Sequence, residues 1–237
     1  MAVIIDKNAP VNILETLDKF GIKYYFSTSI DKLYSPVNTH PDMQIHFVSD
    51  SIAIAEPCVF EYYKNTLPTH IKLIKGSTAV GGTYPFDIAY NVASLGKRII
   101  GNLSYTDAVI KRLYADSKYE FCDVKQGYTK CNLCIVDENS VITEDEGLSK
   151  ALISKGIDVL KVPAGEISLS GFPYGFIGGA SGFVAPKVLG FCGNIDTLSY
   201  SNSIKTFLKE KGIEFLSLSQ YNLLDLGSII YFKDFPY

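Results

Sequence analysis

Three stretches of the chain carry the same hydrophobic rhythm. In residues 13–22, 148–157 and 204–213, apolar side chains recur every three or four positions. A basic or aromatic residue follows, and Gly-Ile then opens a β-rich run. That spacing predicts an apolar helix stripe in each stretch. Lysine in the last turn suits the negative end of the helix dipole. Glycine permits a left-handed C-cap, and β-branched isoleucine opens a buried strand. Gly21 and Gly156 lie 135 positions apart, three intervals of 45. The period predicts further copies near residues 66 and 111. Residues 59–67 and 105–114 supply helical patterns there, followed by β-rich runs at 70–76 and 119–124, without the Gly-Ile punctuation.

Ahead of each helix the pattern reads as two strands joined by a polar turn. The pairs are residues 42–48 with 52–55, 87–93 with 97–100, 131–136 with 141–143, and 176–183 with 187–191. Capping residues follow each second strand. The chain ends on a strand at 227–232 with no helix after it, and begins with a strand at 2–5, a helix, and a strand at 22–26. Joined, the termini complete a fifth unit, and a ring closed this way leaves no exposed sheet edge. The expected architecture is a single α/β domain spanning 1–237, a five-fold pseudosymmetric propeller of ββαβ units. Its units run over 39–82, 83–127, 128–171 and 172–224, with 225–237 joined to 1–38. The competing architecture is an open α/β sheet. Its doubly wound, nucleotide-binding form wants a glycine-rich turn after the first strand, where this chain has Asp6-Lys7-Asn8-Ala9-Pro10.

Composition narrows the function classes. With 47% hydrophobic and 20% charged residues the chain is ordinarily globular,. A net charge of −3 with scattered Lys and Arg argues against nucleic acid as a partner. No apolar run approaches the ~18 residues of a membrane span, and the first residues lack a basic and apolar leader. Five cysteines, an odd number, fit reduced thiols in a cytoplasmic protein,.

Four short segments resemble a known family. They are residues 127–132 (Gly-Tyr-Thr-Lys-Cys-Asn), 142–145 (Ile-Thr-Glu-Asp), 175–182 (Gly-Phe-Ile-Gly-Gly-Ala-Ser-Gly) and 224–228 (Leu-Asp-Leu-Gly-Ser). The likeness is to a bacterial family of unknown activity assigned to the pentein, or guanidino-group modifying, fold. That superfamily holds deiminases, dimethylarginine hydrolases, amidinotransferases and a ribosome anti-association translation factor. The resemblance implies a site on the five-fold axis, fed by the inner strands. In the enzymes, a Cys of the last unit attacks the guanidinium carbon, a His acts as acid and base, and carboxylates hold the nitrogens. Here residues 227–232 contain no Cys, and no His follows His70. Hydrolysis of arginine, agmatine or methylarginine is therefore not expected.

Candidate site residues come from the predicted inner strands. Asp42, Gln44 and His46 alternate with Met43, Ile45 and Phe47 and are expected on one face. Asp87 with Asn91, and Asp225 with Ser228, occupy comparable places. Together they suggest an acidic, hydrogen-bonding ring suited to a small cationic or amino ligand. Ser181 lies in the glycine-rich segment 178–182, which lacks phosphate-loop spacing and reads as close backbone packing. Cys131-Asn132-Leu133-Cys134 has no second ligand pair for zinc, so neither metal nor cofactor is expected. On a strand its two thiols would diverge. Cys131 is the candidate nucleophile and ligand contact, with Asn132 beside it and His40 or His46 as the candidate base. Alternation turns Lys130 away from the thiol, leaving nearby carboxylates to keep it protonated. The leading expectation is a protein that binds a small cationic, amino or guanidino molecule on the axis without the usual Cys/His machinery. A thiol-dependent hydrolase or transferase using Cys131 and a non-catalytic protein-interaction module are the alternatives. Oligomeric state is left open.

Overall fold

Every residue of Ala2–Ile5 (β1) is apolar because the strand is wholly buried in the middle of a sheet,. Through α1 (Val11–Lys19) it leads to β2 (Lys23–Phe26), its parallel neighbour. The computed structural model describes residues 1–234; residues 235–237, assigned by sequence to the fifth unit, lie outside the described residues.

The same plan then recurs. The next unit contains β3 (Ile45–Ser49), β4 (Ile52–Ala55), α2 (Phe60–Thr66) and β5 (Lys72–Lys75). It is followed by β6 (Ala93–Leu95), β7 (Arg98–Gly101), α3 (Ala108–Asp116) and β8 (Glu120–Asp123). The third opens with a single helical turn, α4 (Thr129–Asn132), and continues through β9 (Cys134–Ile135), β10 (Ser140–Thr143), α5 (Glu146–Ile153) and β11 (Asp158–Lys161). The fourth contains β12 (Ser181–Ala185), β13 (Val188–Phe191), α6 (Ser201–Glu210) and β14 (Glu214–Ser217). The last strand, β15 (Ile230–Phe232), pairs antiparallel with β1, with Val3 opposite Tyr231. Among the described residues the strands form five three-stranded sheets, each with one antiparallel and one parallel pairing about its central strand. The central strands β1, β4, β7, β10 and β13 are buried almost throughout, while the parallel outer strands are half exposed.

The helix ends explain the repeat. Gly21, Gly156 and Gly212 have φ of +66°, +74° and +64°, and the next amide bonds five residues back, as in Ile157 N–H to Leu152 O at 3.1 Å. This is the Schellman closure. An added Cβ at these glycines would meet nothing within 4 Å, so conformation and not space selects glycine. After α3 the same closure is made by Lys118 at φ +57°, with Tyr119 N–H on Tyr114 O at 3.0 Å. This copy falls at 118, past the position near 111 that the period predicts, and Lys-Tyr replaces Gly-Ile.

All four predicted hairpins form, but their first strands start later than the alternation suggests: at Ile45, Ala93, Cys134 and Ser181. What precedes each is turn, not strand. Pro41 sets a 3₁₀ turn over Pro41–Met43 that Gln44 closes,, so of Asp42, Gln44 and His46 only His46 lies on the strand. Asp87 and Asn91 lie in turns ahead of β6. Cys131 lies in α4, not on an inner strand. The α4 turn is held from outside its own sequence, because Asn91 Oδ1 accepts the amides of Lys130 (2.8 Å) and Cys131 (3.3 Å). A cap donated from forty positions away leaves no local signal.

Candidate functional site on the axis

The five inner strands converge on one channel of about 230 Å³. His46 of β3, Ser94 of β6, Ile135 of β9, Ser181 of β12 and Tyr231 of β15 all line it, as do Asp42 and Lys130 from the turns. Glycines let these elements approach. A Cβ on Gly182 would lie 2.0 Å from Ile229 O, and one on Gly179 would lie 2.0 Å from Asp225 Oδ1. The glycine-rich segment is packing at the axis, as its spacing implied.

Behind the channel wall the turns bring together a buried polar cluster centred on Asp42, its one member that lines the channel. Its Oδ2 accepts from Ser228 Oγ at 2.7 Å and from Cys131 Sγ at 3.0 Å. Asn91 Nδ2 donates to Cys131 Sγ at 3.0 Å. Ser228 is held at φ +70° directly after Gly227 at φ +68°, and its amide donates to Gly179 O at 2.7 Å. A non-glycine residue in this conformation is strained and persists where its surroundings fix it. Asp225 accepts the amides of Phe176 (2.8 Å) and Gly227 (3.0 Å) and stands 3.8 Å from His40 Nδ1. Burial, above all, raises the Asp225 carboxyl, with the His40 ring pulling the other way.

Asp42 Oδ1 is buried and has no hydrogen-bond partner among the described residues. Leaving such an acceptor unmet costs about 1–3 kcal/mol, and more when it is charged. Asp87 Oδ1 and Glu144 Oε1 are also unmet, but of the three carboxylates only Asp42 lines the channel.

The candidate acid–base and thiol groups are differently placed. His46 Nε2 accepts from Tyr114 Oη at 2.7 Å, and its ring also bonds the backbone of Val92. Burial, then the Lys130 charge, lowers it to about 3. It is a neutral, satisfied imidazole in the channel wall. The Cys131 thiol is raised well above the ordinary range by burial, then by Asp42 and Asp225. Its hydrogen-bond partners are Asp42 and Asn91; neither His40 nor His46 is among them. Gln44 is committed elsewhere, donating to Thr28 O (2.6 Å) and Asn38 O (3.3 Å) and accepting from Tyr63 Oη (2.8 Å). Asn132 closes its own turn on Tyr128 O. Asp87 accepts from Tyr128 Oη at 2.6 Å, and Ser181 Oγ donates to Ile177 O at 2.7 Å. Among the described residues no three His, Cys, Asp or Glu side chains are grouped to hold a metal.

The sequence reading missed two features. Lys130 lines the channel, because α4 replaces the strand whose alternation turned it away. A set of acids following the central strands staples the ring together. Asp6 accepts from Thr39 Oγ1 (2.8 Å), Glu56 from Val80 N (3.2 Å) and Glu144 from Ile177 N (3.1 Å). Their regular place after a β-run was the available signal.

A family model described as a family of unknown function, DUF6873, matches residues 4–230. The chain belongs to this family. A search of curated protein sequences finds no match. Three solved structures share the fold of this DUF6873 member at low identity. An amidinotransferase of the saxitoxin pathway from Microseira wollei is 13% identical with a TM-score of 0.60, covering 96% of this chain and 80% of its own. The inosamine-phosphate amidinotransferase of Streptomyces griseus is 14% identical with a TM-score of 0.57, covering 95% and 79%. The dimethylarginine dimethylaminohydrolase of Pseudomonas aeruginosa, complexed with citrulline, is 10% identical with a TM-score of 0.56, covering 93% and 91%. The DUF6873 chain therefore has the pentein fold. No helix among the described residues is long and apolar enough to cross a membrane.

Proposed function

We propose that this DUF6873 protein binds a small cationic molecule, an amine or guanidinium, in its axial channel, with Asp42 as the counter-ion. The observation that carries the reading is the buried Asp42 Oδ1, unpartnered among the described residues, on a residue that lines the channel. A cationic N–H donor meets that acceptor with a charge-assisted hydrogen bond, the stronger class. The guanidino class is supported by the names of the fold neighbours, two amidinotransferases and a dimethylarginine dimethylaminohydrolase. Binding without guanidine hydrolysis is favoured by a thiol that burial and carboxylates keep protonated, and whose hydrogen bonds go to Asp42 and Asn91.

Titration calorimetry with methylguanidine, agmatine and n-butylamine checks this. At least one should bind the native protein, and Asp42→Asn, which keeps shape but removes charge, should weaken it by about tenfold or more. Equal affinity in Asp42→Asn, with an unchanged melting temperature, contradicts the proposal.

A further inference from the structure

We infer that Lys130 is an anion-recognising residue of the same channel, so that its occupant is a dipolar molecule, an amino or guanidino acid. The cationic half of this inference rests on the reading of Asp42 given above; the anionic half stands on Lys130 itself.

Lys130 belongs to α4, whose outward amide is already capped by Asn91. Its half-buried side chain lines the channel. Among the described residues its ammonium makes no ion pair and donates no hydrogen bond, whereas other lysines such as Lys23, Lys155 and Lys211 are paired with carboxylates. Its charge is felt by two buried groups, His46 in the channel wall and Cys134 in the core behind it. Neighbouring wall residues Ile45, Ile135 and Ile229 are apolar. A cation partly withdrawn from water among such groups gains from an anion brought into contact. Asp42, the carboxylate that shares the channel wall, makes no ion pair with Lys130 among the described residues. Asp42 Oδ2 is occupied by Ser228 and Cys131, and His46 is neutral with both sides of its ring engaged.

The channel thus holds one unmet negative atom and one unmet positive group. One lysine, with no second cation beside it, matches a monoanion and not a phosphate dianion. At about 230 Å³ the space lies below the ~300–1,000 Å³ of drug-sized pockets. A small carboxylic acid with a cationic group at its other end fits that volume and both poles.

The test is titration calorimetry at low ionic strength with three matched series of increasing chain length. These are ω-amino and ω-guanidino acids, the n-alkylamines and alkylguanidines without the carboxylate, and the alkanoates without the cation. Each series is run on the native protein, Lys130→Met and Lys130→Arg, with melting temperatures to confirm folding. The native protein should prefer the best acid over its carboxylate-free counterpart by about tenfold. Lys130→Met should lose that preference while holding or improving the affinity for the simple cation, and Lys130→Arg should keep it. Equal affinity for acid and simple cation in the native protein, or a preference that survives in Lys130→Met, overturns the inference and leaves the Asp42 reading standing. Alkanoates binding in a Lys130-dependent way while no cation binds would sink the Asp42 reading and leave Lys130 as an anion site. Failure of every series to bind overturns both.

Discussion

Glu144 shows what a buried charge does in this ring. Its Oε2 takes the Ile177 amide at 3.1 Å while Oε1 has no partner among the described residues, and burial lifts the carboxyl from 4.5 to about 7. A raised carboxyl binds its proton more tightly in the folded state. Its stabilising contribution is therefore complete below about pH 4.5 and is lost as pH rises to about 7. At about 1.4 kcal/mol per tenfold change in acidity, the loss is on the order of 3 kcal/mol. Glu144→Gln keeps the acceptor for Ile177 and cannot ionise. Denaturant titrations should find its stability advantage over the native protein growing by that order between pH 4.5 and 7.5; a pH-independent difference contradicts this. In the sequence Glu144 reads as helix-terminal charge beside Asp145 and Glu146. The N-cap is Asp145, whose Oδ1 accepts the Leu148 amide at 2.7 Å. Burial of its neighbour comes from packing against a segment over thirty positions away, which no local pattern encodes.

At the scale of elements, the helix–glycine–strand phrase was legible because one backbone closure serves several units. Where the phrase was blurred, the closure persists in other residues. Lys118 adopts the left-handed conformation with a side chain attached, which costs roughly 1–2 kcal/mol relative to glycine. Lys118→Gly should therefore raise stability by up to about 1 kcal/mol, with part of the gain lost to unfolded-state entropy. Gly156→Ala, at φ +74°, should lower it by a similar amount. Thermal unfolding of both variants reads the difference, and no change in either means the closure is not what selects these residues. The inner strands were less legible. Alternating residues near 42, 87, 131 and 176 imitate strands, but Pro41 and the Asn91 cap bend two of these segments into turns. Those turns carry Asp42 and Cys131, so the misread segments are the ones that build the site.

For the whole molecule, the sequence predicted a ring closed by its termini, and β15 does pair with β1. The joining of Asp42 to Ser228 across 186 positions follows from that closure, since it brings the last turn beside the first. Which acids would face the channel was not legible. Asp42, Asp87 and Asp225 look equivalent in the chain, yet Asp87 bonds Tyr128 and Asp225 bonds backbone amides. Only Asp42 among them lines the channel with an oxygen unspent. The account turns on that oxygen. A crystal structure of the protein grown with the amine or guanidino compound that binds best in solution tests it most directly. The account predicts the ligand in the axial channel with a nitrogen about 3 Å from Asp42 Oδ1. A ligand seated elsewhere, or one in the channel that leaves Asp42 Oδ1 without a nitrogen partner, would contradict it.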